Sequence, residues 1–111
     1  MSEAAGAPKG EVFNLRDYVD YADGSIVSKI LMKKDTGNIT LFSFASGQGL
    51  SEHTVPFDAL VQILDGTAEI TIGGKAHEVK RGEVLIMPAN VPHALHAREP
   101  FKMLLVMIRG Q

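Results

Sequence analysis

The 111-residue chain contains no cysteine and no tryptophan. Without thiols there is no disulfide framework, no thiolate metal site and no cysteine nucleophile, and the sequence gives no sign of the redox state of its surroundings. A block of like charges is missing too: 11 Lys+Arg stand against 13 Asp+Glu, for a formal net charge of −2. That balance favours neither nucleic acid nor an anionic membrane surface as partner. No apolar run approaches the ~18 residues that a membrane helix needs. The opening "MSEAAGAPKG" has neither the charged nor the apolar region of a signal peptide, so a cytoplasmic location is the default expectation. The length suits one domain with its own core and is short for two. Residues 1–10, small and polar, are expected to be a flexible lead-in, with a single domain over 11–111.

What the sequence does have is short apolar runs at regular intervals. "IVSKILMKK", "NITLFSF", "ALVQIL", "TAEITI", "AHEV", "EVLIMP", "HALHA" and "FKMLLVMI" are rich in β-branched and apolar residues. Between them fall "DTGN", "SGQG", "DG", "GGK", "RG" and "PANVP", the clusters that turns demand. This rhythm predicts an all-β fold, a small antiparallel β-barrel or double-stranded β-helix (jelly roll) of roughly nine to eleven short strands. Upstream, "EVFNLRDYVDYADGS" has a mixed pattern that fits a short strand followed by a helical turn.

Two runs, "ALVQIL" and "FKMLLVMI", are apolar at nearly every position, so both faces of those strands need covering. A core covers one. A second sheet or a second subunit would cover the other, which predicts a homodimer, with residues Gly10 to Asp20 as a candidate strand for the partner's sheet. "TAEITI" and "AHEVKRGEV" mix polar residues in and read as solvent-edged strands.

Glycines fall where the turns need them. Gly66 in "LDGTAEI" and Gly73-Gly74 in "TIGGKAH" suit tight turns at positive φ. Gly82 opens a strand that Pro88 ends, since proline cannot donate to a central ladder. Asn90 tolerates the left-handed conformation better than most non-glycine residues.

The order Gly47, His53, Gly66, then Gly82, Pro88, His93 resembles the two motifs of the cupin superfamily of small β-barrels, over roughly Ile39 to Ile108. The first motif keeps its glycines and first histidine, but Val55 stands where the second histidine belongs and Ala59 where the glutamate belongs. In the second, Asn90 replaces a glycine and Ala97 the asparagine. The resemblance implies His53 and His93 lying near each other at one end of a barrel. It implies Val55 and Ala59 lining the same pocket, and a divalent transition metal (Zn, Fe, Mn or Ni) in those relatives that keep the full ligand set.

Two imidazoles alone hold such a metal weakly, because it usually takes three or four protein ligands. Candidate helpers are Glu52, Asp58, Gln62, His77 and His96. Strand alternation places 55, 57, 59, 61 and 63 on the face of His53, with Glu52, Asp58 and Gln62 opposite unless Pro56 resets the phase. Asp58 ranks first among them, one position from the motif's glutamate. His96 lies opposite His93 and reads, with His77, as a surface or interface histidine. Phe42, Phe44, Phe57, Met87, Phe101, Met103 and Met107 read as wall or core.

Three functional classes follow. One is a small-molecule-binding barrel whose pocket centres on His53 and His93, with weak or no metal binding. Another is a metal-dependent enzyme of dioxygenase or isomerase type, using the two histidines and a further ligand. A metal-free epimerase is the third: cupin relatives of that kind pair a histidine base with an aspartate and a tyrosine acid, whereas here Tyr18 and Tyr21 both precede the barrel. Of these, the sequence favours binding over catalysis.

Overall fold

A computed structural model of the protein describes residues 7–109. Among them are one helical turn, α1 (Leu15–Tyr18), and nine strands: β1 (Ile26–Lys34), β2 (Gly37–Phe44), β3 (Gly49–His53), β4 (Ala59–Asp65), β5 (Thr67–Ile72), β6 (Lys75–Lys80), β7 (Val84–Met87), β8 (His93–His96) and β9 (Phe101–Ile108). Every pairing is antiparallel. A five-stranded sheet in the order β1-β2-β9-β4-β7 faces a four-stranded sheet in the order β3-β8-β5-β6. The fold class and strand number are those the apolar runs predict.

The side-chain period of two sends alternate residues of each strand between the sheets. Val61, Ile63, Phe101 and Met103 from the larger sheet and Ala68, Ile70, Leu95 and Ala97 from the smaller form one buried cluster. The Phe44 and Phe101 rings stack at 4.5 Å and 14°. The polar residues of β5 lie on the outward face of a strand central to its sheet, so they mark a wet face, where the sequence reading expected an edge.

The outward face of the larger sheet carries a second cluster. Val19, fully buried, packs there with Leu31 and Leu41, and Leu15 and Tyr18 pack beside them. Residues 14–21 therefore cover part of a face that the sequence reading assigned to a second sheet or a second subunit. The helical turn is present, capped by Asn14, whose Oδ1 accepts from the Asp17 amide at 3.3 Å; the short strand expected before it is not. Lys102 Nζ donates to the Arg16 carbonyl at 2.6 Å, and the Tyr21 hydroxyl donates to Asp65 Oδ2 at 2.6 Å. Of the expected lead-in, residues 1–6 lie outside the described residues, and Ala7 N donates to the Leu31 carbonyl at 3.0 Å.

Gly66 turns β4 into β5 at φ 73°, and a Cβ built there would run into the Pro100 carbonyl oxygen. Both the left-handed backbone and the close approach demand glycine. Gly66→Ala is expected to cost about 2 kcal/mol or more, lowering the melting temperature by roughly 10 °C for a domain this size. A fall of less than about 2 °C in a thermal melt would show that the turn relaxes freely. Asn90 adopts φ 64°, the left-handed conformation its residue type tolerates.

Candidate histidine pair at one end of the barrel

β3 is where the site is made. Leu50 pairs with Leu95 on β8, and its side chain joins the core. Three residues later, strict alternation would send His53 outward. The ladder instead slips between Leu50 and His53, so that His53 pairs with His93. One extra residue in β3 thus turns His53 onto the inward face, the usual structural use of a β-bulge. The two imidazoles meet with ring centroids 4.3 Å apart and planes inclined at 65°.

Their tautomers follow from their backbone partners. His53 Nδ1 lies 2.8 Å from the Ser51 carbonyl oxygen, and His93 Nδ1 lies 3.4 Å from that of Val91. A carbonyl only accepts, so each Nδ1–H donates, and each Nε2 keeps a free lone pair. The pair is thus two imidazoles held edge to face, each with one nitrogen left to bind something else.

His93 is buried and His53 is exposed. Burial pushes the His93 imidazole below its ordinary value near 6.5, the neighbouring His53 pushes it the same way, and the Val91 carbonyl opposes both. The native state therefore keeps His93 neutral at pH values where the unfolded chain protonates it. Stability from this group is complete above about pH 6.5 and is lost as pH falls from there through the lowered native value. Urea unfolding at about pH 8 and about pH 5 should show a loss of stability on acidification that is smaller in His93→Gln. Equal losses in both proteins would contradict this.

The facing sheet supplies an apolar wall. Ala59 pairs with Met87 on one side and Met107 on the other. This row lies at the histidine end, because β3 ends at His53 just before β4 begins at Ala59, and β7 ends at Met87 just before β8 begins at His93. Ala59 is buried within the core cluster, and Val55 is half-buried in the β3–β4 loop. The Val55 carbonyl accepts from the Asn90 amide at 2.8 Å, tying the loop after His53 to the loop before His93. Of the aromatic and methionine residues read as wall or core, Phe57 departs: it is half-buried but joins neither buried cluster, and the Arg109 guanidinium lies 5.7 Å over its ring.

The remaining candidates go elsewhere. Asp58 is exposed, and its Oδ1 accepts from the Ala89 amide at 2.8 Å, a brace for the loop after Met87. Gln62 pairs with Val84 and Leu104 on the outward face. His96 is exposed and lies opposite Glu69. His77 is half-buried and pairs with Ile70, so its position faces inward, in contrast to the surface assignment made from its mixed-polarity strand. Among the described residues, no three His, Asp or Glu side chains come together as a metal-binding group. The histidine pair is half of a divalent metal's usual protein shell, so the donor set does not fit a firmly held metal.

A cavity of about 340 Å³ lies at the other end of the smaller sheet, lined by Thr67, Glu69, Glu78, Arg98 and Glu99 among others. Its arginine is already paired with Glu69 at 2.6 Å. Its one arginine is thus occupied by a carboxylate of its own wall, whereas the histidines present unused nitrogens.

Residues 40–108 match the Cupin domain family. The chain belongs to the cupin family. A conserved protein of unknown function from Streptococcus pyogenes is 38% identical over 100% of this chain and 97% of its own, with a TM-score of 0.92. A cupin 2 conserved barrel domain protein from Leptotrichia buccalis is 45% identical over 87% of this chain, with a TM-score of 0.84, and this cupin spans 47% of that chain. A cupin superfamily protein from Desulfitobacterium hafniense is 29% identical over 98% of this chain and 100% of its own, with a TM-score of 0.89. No curated protein matches this cupin. Among its described residues, no helix is long and apolar enough to cross a membrane.

The family resemblance implied that His53 and His93 lie near each other, as they do, but gave no sign of what holds them. The Ser51 and Val91 carbonyls, each two residues before its histidine, set the tautomers. Backbone acceptors leave no trace in residue type.

Proposed function

We propose that this cupin is a cytoplasmic small-molecule-binding barrel whose polar anchor is the His53–His93 pair, with metal held weakly or not at all. The observation that carries the reading is the pair itself: two rings 4.3 Å apart with both Nδ1 atoms engaged by backbone carbonyls. Two Nε2 lone pairs are acceptors, so the complementary ligand brings hydrogen-bond donors, such as hydroxyl groups, on an apolar body that fits against Ala59, Met87 and Met107.

Thermal melts of the protein in EDTA against a panel of small alcohols and phenols test this. A ligand at a hundredfold over its Kd stabilises by about 2.7 kcal/mol, and that stabilisation should vanish in His53→Gln/His93→Gln. Stabilisation that appears only when a divalent metal is added would favour the alternative, a metal-dependent enzyme of dioxygenase or isomerase type. The free Nε2 atoms are the observation that supports this second reading, since they are the atoms by which imidazoles ligate metal.

A further inference from the structure

We infer that Asn38 faces the histidine pair as a hydrogen-bond donor, which makes the complementary ligand a hydroxy-carbonyl compound. The inference rests on the pair being a binding site, and it adds the group that tells one hydroxyl-bearing ligand from another.

The place of Asn38 follows from register and topology. Met107, which pairs with Ala59 on one side, pairs with Asn38 on the other. The row at the histidine end of the larger sheet therefore runs Met87–Ala59–Met107–Asn38, with all four side chains on the inward face. Asn38 is the first polar residue along it. The two sheets stack strand on strand, because every short connection at the opposite end crosses from one sheet to the other: β2 to β3, β4 to β5, β6 to β7 and β8 to β9. With β2 over β3 and β9 over β8, Asn38 stands across the barrel from His53, and Met107 across from His93. Facing sheets lie about 10 Å apart, so the side chains of both walls reach into the same gap.

The orientation of the amide decides what it offers. Thr40, two residues along on the same face and itself buried, donates its hydroxyl to Asn38 Oδ1 at 3.2 Å. That bond engages the acceptor of the amide and leaves the two Nδ2–H donors of a half-buried residue for another partner. The histidines accept through Nε2 and Asn38 donates through Nδ2, so the two walls take different groups: a hydroxyl at the histidines, a carbonyl oxygen at Asn38. A simple alcohol or phenol satisfies the first wall and displaces water from the second without replacing its hydrogen bond, which costs affinity.

Calorimetry in EDTA with two probes of one shape tests this: meta-hydroxyacetophenone, and meta-ethylphenol, which lacks only the carbonyl oxygen. Wild type should bind the ketone roughly fivefold more tightly, an effect within the range of one neutral hydrogen bond. Asn38→Leu should bind the two alike, and His53→Gln/His93→Gln should lose both. Equal affinities in wild type, or a preference for the ketone that survives in Asn38→Leu, would overturn the role of Asn38 and leave the histidine pair as a binding site. Binding of neither probe by wild type would overturn the pair as an acceptor site, and the role of Asn38 with it. If Asn38→Leu fails to fold, wild type alone decides: the side-chain amide protons of Asn38 should shift in NMR spectra with the ketone and stay in place with meta-ethylphenol, and equal shifts with both probes overturn the assignment.

Discussion

Val55→His/Ala59→Glu should bind Zn²⁺ at least a thousandfold more tightly than wild type. A four-ligand zinc site is worth about 10–16 kcal/mol, or roughly 2.5–4 kcal/mol per ligand. Two added donors on top of the existing pair therefore supply more than enough. Position 59 sits in the row facing the histidine end, and position 55 lies in the loop bonded to the one that precedes His93. The same variant should be several kcal/mol less stable than wild type in EDTA, because Ala59 is 2% exposed and an unpaired carboxylate there must be desolvated or protonated. Metal should more than restore the loss. Calorimetry showing no gain in affinity, with the fold intact by circular dichroism, would mean that positions 55 and 59 do not converge on the histidines.

The second large effect is in the core. Phe101→Ala should cost about 3–5 kcal/mol. The ring is fully buried and stacks on Phe44 at 4.5 Å, at the end of the barrel away from the histidines. Its loss opens a cavity that the two sheets, joined through their strand ends, cannot close by collapsing. Denaturant unfolding should show the midpoint falling with the slope unchanged. A loss below about 1.5 kcal/mol would show that the core repacks around the gap.

The all-β architecture was legible because each strand is short, apolar and bounded by residues that turns require. Gly66 and Asn90 do adopt the positive φ their residue types suit. The approach of His53 to His93 was legible only through the family resemblance. Counting alternation from Leu50 sends His53 the wrong way, and the bulge that corrects it is one extra residue with no signature of its own. Asp58 looked like a ligand by its position, yet its carboxylate serves the Ala89 amide, a backbone partner invisible in residue type. The N-terminal clamp was hidden for a different reason. Its contacts, Lys102 to the Arg16 carbonyl and Tyr21 to Asp65, join segments far apart in the chain, and its local pattern has no clean period. So the apolar outward face seemed to need a second sheet or subunit throughout, when part of it is covered from within.

The central claim is that His53 and His93 are held as a pair with both Nε2 atoms free. Nitrogen-15 NMR of the imidazoles at about pH 8, which reads the protonation of each ring nitrogen separately, tests it most directly. The account predicts protonated Nδ1 and unprotonated Nε2 on both residues. It further predicts that the two Nε2 resonances shift together when Zn²⁺ is added, while His77 and His96 stay in place. Nε2–H tautomers, or a shift of one ring without the other, would contradict it.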